Sequence, residues 1–210
     1  MQKEKMSFRK KLENYWYYYK IHTFVGIFIL IVVAITVQQC ATKVNPDMTV
    51  LVATQQPLLT QDNQDRLQKY LESLTGDVNK DGKKAVQVDV LYFNDSQTMQ
   101  AMQAKLTIDL MPENKVYLFI TDDTTFQQLQ KESVFAKLSD AVPGAKGTDD
   151  YRLSAAQTAL GSAAYQNATK DLSISVKAYK GTQAGDKKYA KDLNNALQVA
   201  AKLAASKPAS

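Results

Sequence analysis

The chain of 210 residues has a single cysteine, Cys40, and a single histidine, His22, both in its first fifth. One cysteine permits no internal disulfide. Beyond Cys40 neither residue type occurs, which excludes from that region a Ser-His-Asp or Cys-His site and a zinc centre with His or Cys ligands. Gly-x-Gly-x-x-Gly and P-loop sequences are absent too, as are internal repeats, so the common nucleotide-binding loops are removed. What is present is ordinary in bulk. The composition, 45% hydrophobic, 22% charged and 9% aromatic, belongs to a chain that folds around a core.

Charge is distributed unevenly. The formal net charge of +5 suggests a nucleic-acid binder until it is localised. Residues 1–20 hold six basic residues (Lys3, Lys5, Arg9, Lys10, Lys11, Lys20) against two acidic ones, while the remainder holds 20 basic and 19 acidic residues. The basicity is a property of the N-terminus, and a nucleic-acid partner is not expected.

Directly after it comes the one strongly apolar run, Ile21 to Val37, free of Asp, Glu, Lys and Arg. From Tyr17 to Val37 a helix is about 31 Å long at 1.5 Å per residue, enough for a hydrocarbon core. Tyr15, Trp16, Tyr17, Tyr18 and Tyr19 form the aromatic belt that settles at headgroup depth. His22 beside them reads as interfacial. The exit Val37-Gln38-Gln39-Cys40-Ala41 lacks the small residues of a cleavage site, and Gln39 departs from a lipoprotein box. A signal-anchor is therefore expected, and the lysines before it place the N-terminus in the cytoplasm, with the lipid bilayer as first partner. No Gly-x-x-x-Gly pairing motif lies in the span.

Beyond the span, Met48–Ala53, Ala85–Phe93, Val116–Thr121 and Leu172–Tyr179 read as strands, being short, β-branched or aromatic and bounded by turn residues. Helical stripes alternate with them: Leu67, Tyr70, Leu71 and Leu74 with Gly76 as a stop; Met99, Met102, Leu106 and Leu110 before Pro112; and Ala190, Leu193, Leu197, Ala200 and Ala204 from Lys187 onward. This alternation predicts an α/β fold, a mostly parallel sheet of about four strands with helices on both faces. The expected organisation is a cytoplasmic basic and aromatic stub at 1–20, a transmembrane helix at 21–39, a juxtamembrane linker at 40–47, an extracytoplasmic domain at 48–206 and a frayed tail at 207–210. The pattern of 145–171 assigns it neither helix nor irregular structure.

The most motif-like segment is Asp77-Val78-Asn79-Lys80-Asp81-Gly82-Lys83. Calcium takes six to eight oxygens, and D-x-N-x-D-G lets one tight loop supply Asp77, Asn79, Asp81 and the Lys83 carbonyl. Its twelfth position is Val88 where an EF-hand has Glu, and Lys80, Lys83 and Lys84 outnumber the two carboxylates. Asp89 or a distant acid would complete such a shell. The other reading is a helix-to-strand turn held by Asx hydrogen bonds, with Gly82 at positive φ. Asp122 and Asp123 follow the third strand, where a parallel sheet opens onto its ligand crevice; the stronger reading of them is a helix N-cap cluster, with carboxylates favoured by the helix dipole. Asp149 and Asp150, in a glycine-containing loop, read as solvated.

Two portions resemble known proteins. Glu13 to Leu30 (ENYWYYYKIHTFVGIFIL) resembles the N-terminal anchors of uncharacterised single-pass membrane proteins of clostridia-like Gram-positive bacteria, in which D-V-N-K-D-G followed by a strand also recurs. Val116 to Asp140 (VYLFITDDTTFQQLQKESVFAKLSD) is similar to a strand and helix of bacterial extracellular solute-binding proteins. The resemblance implies an α/β lobe tethered outside the membrane, and a chain of this length would hold one lobe of the usual two. It assigns no ligand residues. The expectation is a membrane-anchored binding or interaction module, not an enzyme, with an envelope or transporter protein as partner. The alternatives are a carboxylate-dependent cell-wall or polysaccharide hydrolase and a purely structural envelope protein.

Overall fold

The computed structural model describes residues 8–42, 45–55, 59–109, 114–145, 147–161, 171–179 and 186–207. The chain divides into two units, Met1–Val44 and Asn45–Ser210.

The first unit contains helix α1 (Phe8–Thr42), 35 residues long. Within it Tyr15–Gln38, 24 residues, is long and apolar enough to cross a membrane, and none of that window is buried. At 1.5 Å per residue this stretch measures about 36 Å. Its two threonine hydroxyls are satisfied inside the helix, Thr23 Oγ1 donating to Tyr19 O at 2.9 Å and Thr36 Oγ1 to Val32 O at 2.8 Å, as an apolar surrounding requires. The five-residue aromatic band is exposed, with Tyr15 and Tyr19 stacked at 5.3 Å. The segment is thus a candidate membrane anchor or signal sequence. The expected cytoplasmic residues 1–7 lie outside the described residues.

The second unit is an α/β domain: β1 (Met48–Thr54), α2 (Gln61–Leu74), β2 (Val86–Tyr92), α3 (Ser96–Asp109), β3 (Val116–Thr121), α4 (Asp123–Lys131), the single-turn α5 (Leu138–Ala141), β4 (Arg152–Ser154), two 3-10 turns, β5 (Ser173–Val176) and α6 (Lys187–Ala205). The sheet order is β2-β1-β3-β5-β4. β1 is parallel to β2 and β3, whereas β5 is antiparallel to both β3 and β4. The expected sheet of about four mostly parallel strands is therefore corrected to a mixed sheet of five. The fifth, β4, is only three residues long and falls in 145–171, too short for a periodic signal. β5 is inserted antiparallel between β3 and β4, an arrangement that strand patterning does not encode.

From β1 the chain steps one way to β2 and then back across β1 to β3. Crossovers of one hand then require α2 and α3 on opposite faces, and the two core clusters conform. Met48, Val50 and Val52 pack with Leu67 and Leu71 of α2 and with Leu193, Val199 and Leu203 of α6. Leu51 and Ala53 pack on the other side with Leu106 of α3 and Phe126 and Leu129 of α4. β1 and β3 are buried at every residue, so their runs are nearly continuously apolar, with only Thr49, Thr54 and Thr121 polar, instead of alternating. Opposite Thr49 and Val50 stand Val116 and Leu118, leaving Tyr117 as an extra residue of a β-bulge. Tyr117 consequently joins Leu118 on the α2/α6 side.

Three sequence expectations shift. Asp47, assigned to the linker, is completely buried and belongs to the domain. Gly76, expected as the glycine stop of α2, is not at positive φ; Thr75 is the C-cap. Gly76 instead lets the chain approach Asn195, whose Oδ1 accepts from Gly76 N at 2.9 Å and would be 3.3 Å from a Cβ at that position. The stripe of α6 runs through Ala196, Val199 and Leu203 as well as Leu193 and Ala200. Leu110, Pro112 and residues 208–210 of the expected tail lie outside the described residues.

Candidate functional site

In an open α/β sheet ligands bind outside the carboxyl ends of the strands, where successive connections leave in opposite directions. Here that point lies between β1 and β3. Its walls are Thr54 and Gln55 on one side and Thr121 and Asp122 on the other.

Asp122 is fixed from two directions. Its Oδ1 accepts from Thr125 N at 2.8 Å as the N-cap of α4, and its Oδ2 accepts from Gln55 N at 2.6 Å across the crevice. One carboxylate thereby caps a helix and ties the ends of the two central strands. Beside it Thr54, Thr121 and Thr125 are fully buried, and the hydroxyls of Thr121 and Thr125 have no partner among the described residues. Of these groups only Asp122 is partly exposed, and each of its oxygens accepts one backbone hydrogen bond.

Asp123 points elsewhere. Arg152 Nη1 donates to Asp123 Oδ1 at 2.6 Å and Arg152 Nε to Asp149 Oδ2 at 2.7 Å, while the guanidinium lies 4.2 Å over the Phe126 ring. Phe126 stacks on Phe135 at 5.2 Å, which meets Phe119 edge-on at 5.5 Å. Arg152 therefore pins the loop before β4 to the start of α4, and its planar fork suits two carboxylates and a ring at once. Partial burial works against its charge, but the bonds to Asp123 and Asp149 outweigh that and hold the guanidinium above its ordinary pKa. Asp149 is exposed but ion-paired; Asp150 is exposed without an ion pair among the described residues.

The Asp77–Lys83 loop is a turn between α2 and β2. Asp77 Oδ2 accepts from Gly82 N at 3.0 Å, Asn79 Oδ1 from Asp81 N at 2.9 Å and Asp81 Oδ1 from Lys83 N at 2.9 Å. Lys80 and Gly82 take positive φ, 60° and 82°. Beneath the loop lies Asp47, whose Oδ1 accepts from Val78 N at 2.7 Å and Asn79 N at 3.0 Å, and whose Oδ2 accepts from Ala85 N at 3.0 Å. The remaining oxygen of the first position, Asp77 Oδ1, is buried with no hydrogen-bond partner among the described residues. Val88 is in β2 and buried. Asp89 faces α3, 3.1 Å from Lys105 Nζ, so it does not complete a shell here. Among the described residues no group of three or more His, Cys, Asp or Glu is placed to hold a metal.

Asp47, Arg152 and Asn195 escaped the sequence reading. Arg152 is one of only three arginines in the chain, and its position just after Asp149-Asp150 was the available clue. Asp47 and Asn195 carried no local signal, since their partners are more than 30 and more than 110 residues distant.

The fold and crevice define a three-layer α/β domain preceded by a helix of membrane-spanning length. Comparison with protein-family models, with curated proteins and with solved structures yields no significant match.

Proposed function

We propose that this protein is a single-pass membrane-anchored module for binding or interaction, with its N-terminus in the cytoplasm and its α/β domain outside. The observation that carries this reading is the crevice between β1 and β3, where Asp122 links Gln55 to the start of α4. A partly exposed carboxylate held in place by backbone donors suits recognition. A hydrolase would instead need two free carboxylates roughly 5 to 9.5 Å apart, whereas the acids at this end are engaged as a cap, a strand tie and arginine partners. The topology follows from the lysines before the span.

The test uses two single-cysteine variants in intact cells, each with Cys40→Ser. A membrane-impermeant maleimide is expected to label Ser210→Cys directly and Ser7→Cys only after permeabilisation. Reversed labelling would sink the orientation. A membrane-free product lighter than 23.4 kDa would identify α1 as a cleaved signal sequence.

The calcium reading of Asp77, Asn79, Asp81 and the Lys83 carbonyl is favoured by one observation, the buried and unpartnered Asp77 Oδ1. We infer that the loop is primarily a turn, because Asp47 and the Asx bonds already organise its backbone. Millimolar calcium is then expected to leave the melting temperature where EGTA leaves it. A saturable rise, required by mass action if the folded state binds the ion, would reinstate the metal.

A further inference from the structure

The loop between α2 and β2 is tied to the first residues of its domain. Asn79 Nδ2 donates to Asn45 O at 2.7 Å, Val78 N and Asn79 N donate to Asp47 Oδ1, and Ala85 N donates to Asp47 Oδ2. Asn45 is the third residue after Thr42, the last of α1, so the chain between them reaches no more than about 11 Å at 3.8 Å per residue. Thr42 is four helical residues beyond Gln38, where the membrane-length stretch ends, a further rise of about 6 Å. Covalent reach alone, at any angle between helix and domain, holds the loop's attachment point within about 17 Å of the end of that stretch. A headgroup layer is about 5 to 8 Å thick on each side of the hydrocarbon, and its field extends about 8 Å further at physiological ionic strength. Together these cover most of that reach.

The charges of the loop are sorted by what they touch. Its acids are bound to the loop itself: Asp77 Oδ2 accepts from Gly82 N, Asp81 Oδ1 from Lys83 N and Asp81 Oδ2 from Asn79 Nδ2 at 3.2 Å. Its lysines are not. Lys80, Lys83 and Lys84 are exposed, and none makes an ion pair or a side-chain hydrogen bond among the described residues. With Lys43 of the connecting chain they are four cations against Asp77, Asp81 and the completely buried Asp47. Exposed ammonium groups carried on a turn whose acids are occupied are complementary to a surface of anionic charge.

We propose that this loop docks on the bilayer, with Lys80, Lys83 and Lys84 contacting the phosphates of anionic lipid headgroups in the leaflet from which α1 emerges. The inference rests on the reading of α1 as a membrane span and uses neither the crevice nor calcium. Lysines near an anionic bilayer are attracted over about one Debye length, so docking weakens in neutral lipid and at high salt. Attachment through α1 keeps the lipid at high effective concentration, and a few lysines then suffice where an untethered domain would need more.

The experiment uses the full chain with Cys40→Ser and Ser73→Cys, a fluorophore being attached at position 73. Ser73 is exposed in the last turn of α2, and its hydroxyl bonds only within the helix, to Tyr70 O. The labelled chain is reconstituted into vesicles of phosphatidylcholine alone or of equal phosphatidylcholine and phosphatidylglycerol, each with the same fraction of a headgroup-nitroxide lipid as quencher. Quenching is expected to be at least two-fold greater with phosphatidylglycerol and to fall to the neutral-lipid level in 0.5 M KCl. The triple variant Lys80→Gln, Lys83→Gln, Lys84→Gln is expected to lose the difference, and the charge-retaining triple change to Arg to keep it. Equal quenching in the two lipids, a difference that survives the Gln variant, or one that the Arg variant abolishes would each overturn the proposal. Flotation separates the two readings: a chain that does not float with the vesicles overturns the anchor and the docking together, whereas a floating chain quenched equally in both lipids overturns the docking alone.

Discussion

Tyr117 carries a buried hydroxyl with no hydrogen-bond partner among the described residues. Burial foremost, then the nearby Asp192 and Tyr189, pushes its pKa up from 10.0 to about 12. The sign follows from proton binding: between these values the unfolded chain has released the phenolic proton and the folded chain has not. The contribution is fully present below pH 10 and is lost as pH rises toward 12, at up to about 1.4 kcal/mol per pH unit. The melting temperature is expected to show this alkaline decline, with a shallower one in Tyr117→Phe. At pH 7 the same variant is expected within about 1 kcal/mol of the parent, because no hydrogen bond is lost. Denaturant titrations at pH 7 and pH 11 check both statements, and equal alkaline slopes would count against them. The tyrosine was legible as strand, but the bulge that places it against α6 was not.

Helix α2 shows what an element owes to its own sequence and what to its neighbours. Its start is local: Thr60 is the N-cap and its side chain accepts from Asn63 N at 3.3 Å. Its stripe of Leu67 and Leu71 was visible as periodicity. Its end is tertiary. Asn195 of α6 donates to Thr75 Oγ1 at 2.7 Å and accepts from Gly76 N, and Lys202 Nζ donates to Leu74 O at 2.6 Å. A reading of α2 by itself took Gly76 for an ordinary helix stop, since the partner that explains it stands 119 residues further on. Asn195→Ala is expected to destabilise the domain by about 2 kcal/mol, because it leaves a buried hydroxyl and a backbone N–H without partners. Urea unfolding would measure this, and a loss below about 0.5 kcal/mol would show the clasp to be incidental.

At the scale of the whole molecule, the two units make separate demands on their surroundings. Both core clusters are built from residues of the second unit, so the fragment Asn45–Ser210 is expected to melt cooperatively without a membrane. Starting instead at Met48 removes Asp47, with the three backbone bonds its carboxylate accepts and the one its own N donates to Ala85 O. That shorter fragment is expected to lose about 3 kcal/mol, lowering the melting temperature by roughly 6–12 °C for a domain of this size. Equal melting of the two fragments would contradict the role assigned to Asp47.

Location in the chain was legible wherever the signal is local. The apolar helix with its aromatic band, the first three strands, the amphipathic helices and the Asx turn all depend on neighbours within a few residues, and each appears in the structure. Tertiary contacts decided the rest: the order β2-β1-β3-β5-β4, the antiparallel insertion of β5, the bulge at Tyr117 and the partner of every buried acid. Asp47 illustrates the division. Its identity is one letter in a presumed linker, yet its bonds to Val78, Asn79 and Ala85 exist only once β1 and β2 lie side by side. Chain patterning encodes which surfaces must leave water, whereas the pairing of distant polar groups is set by the packing that brings them together.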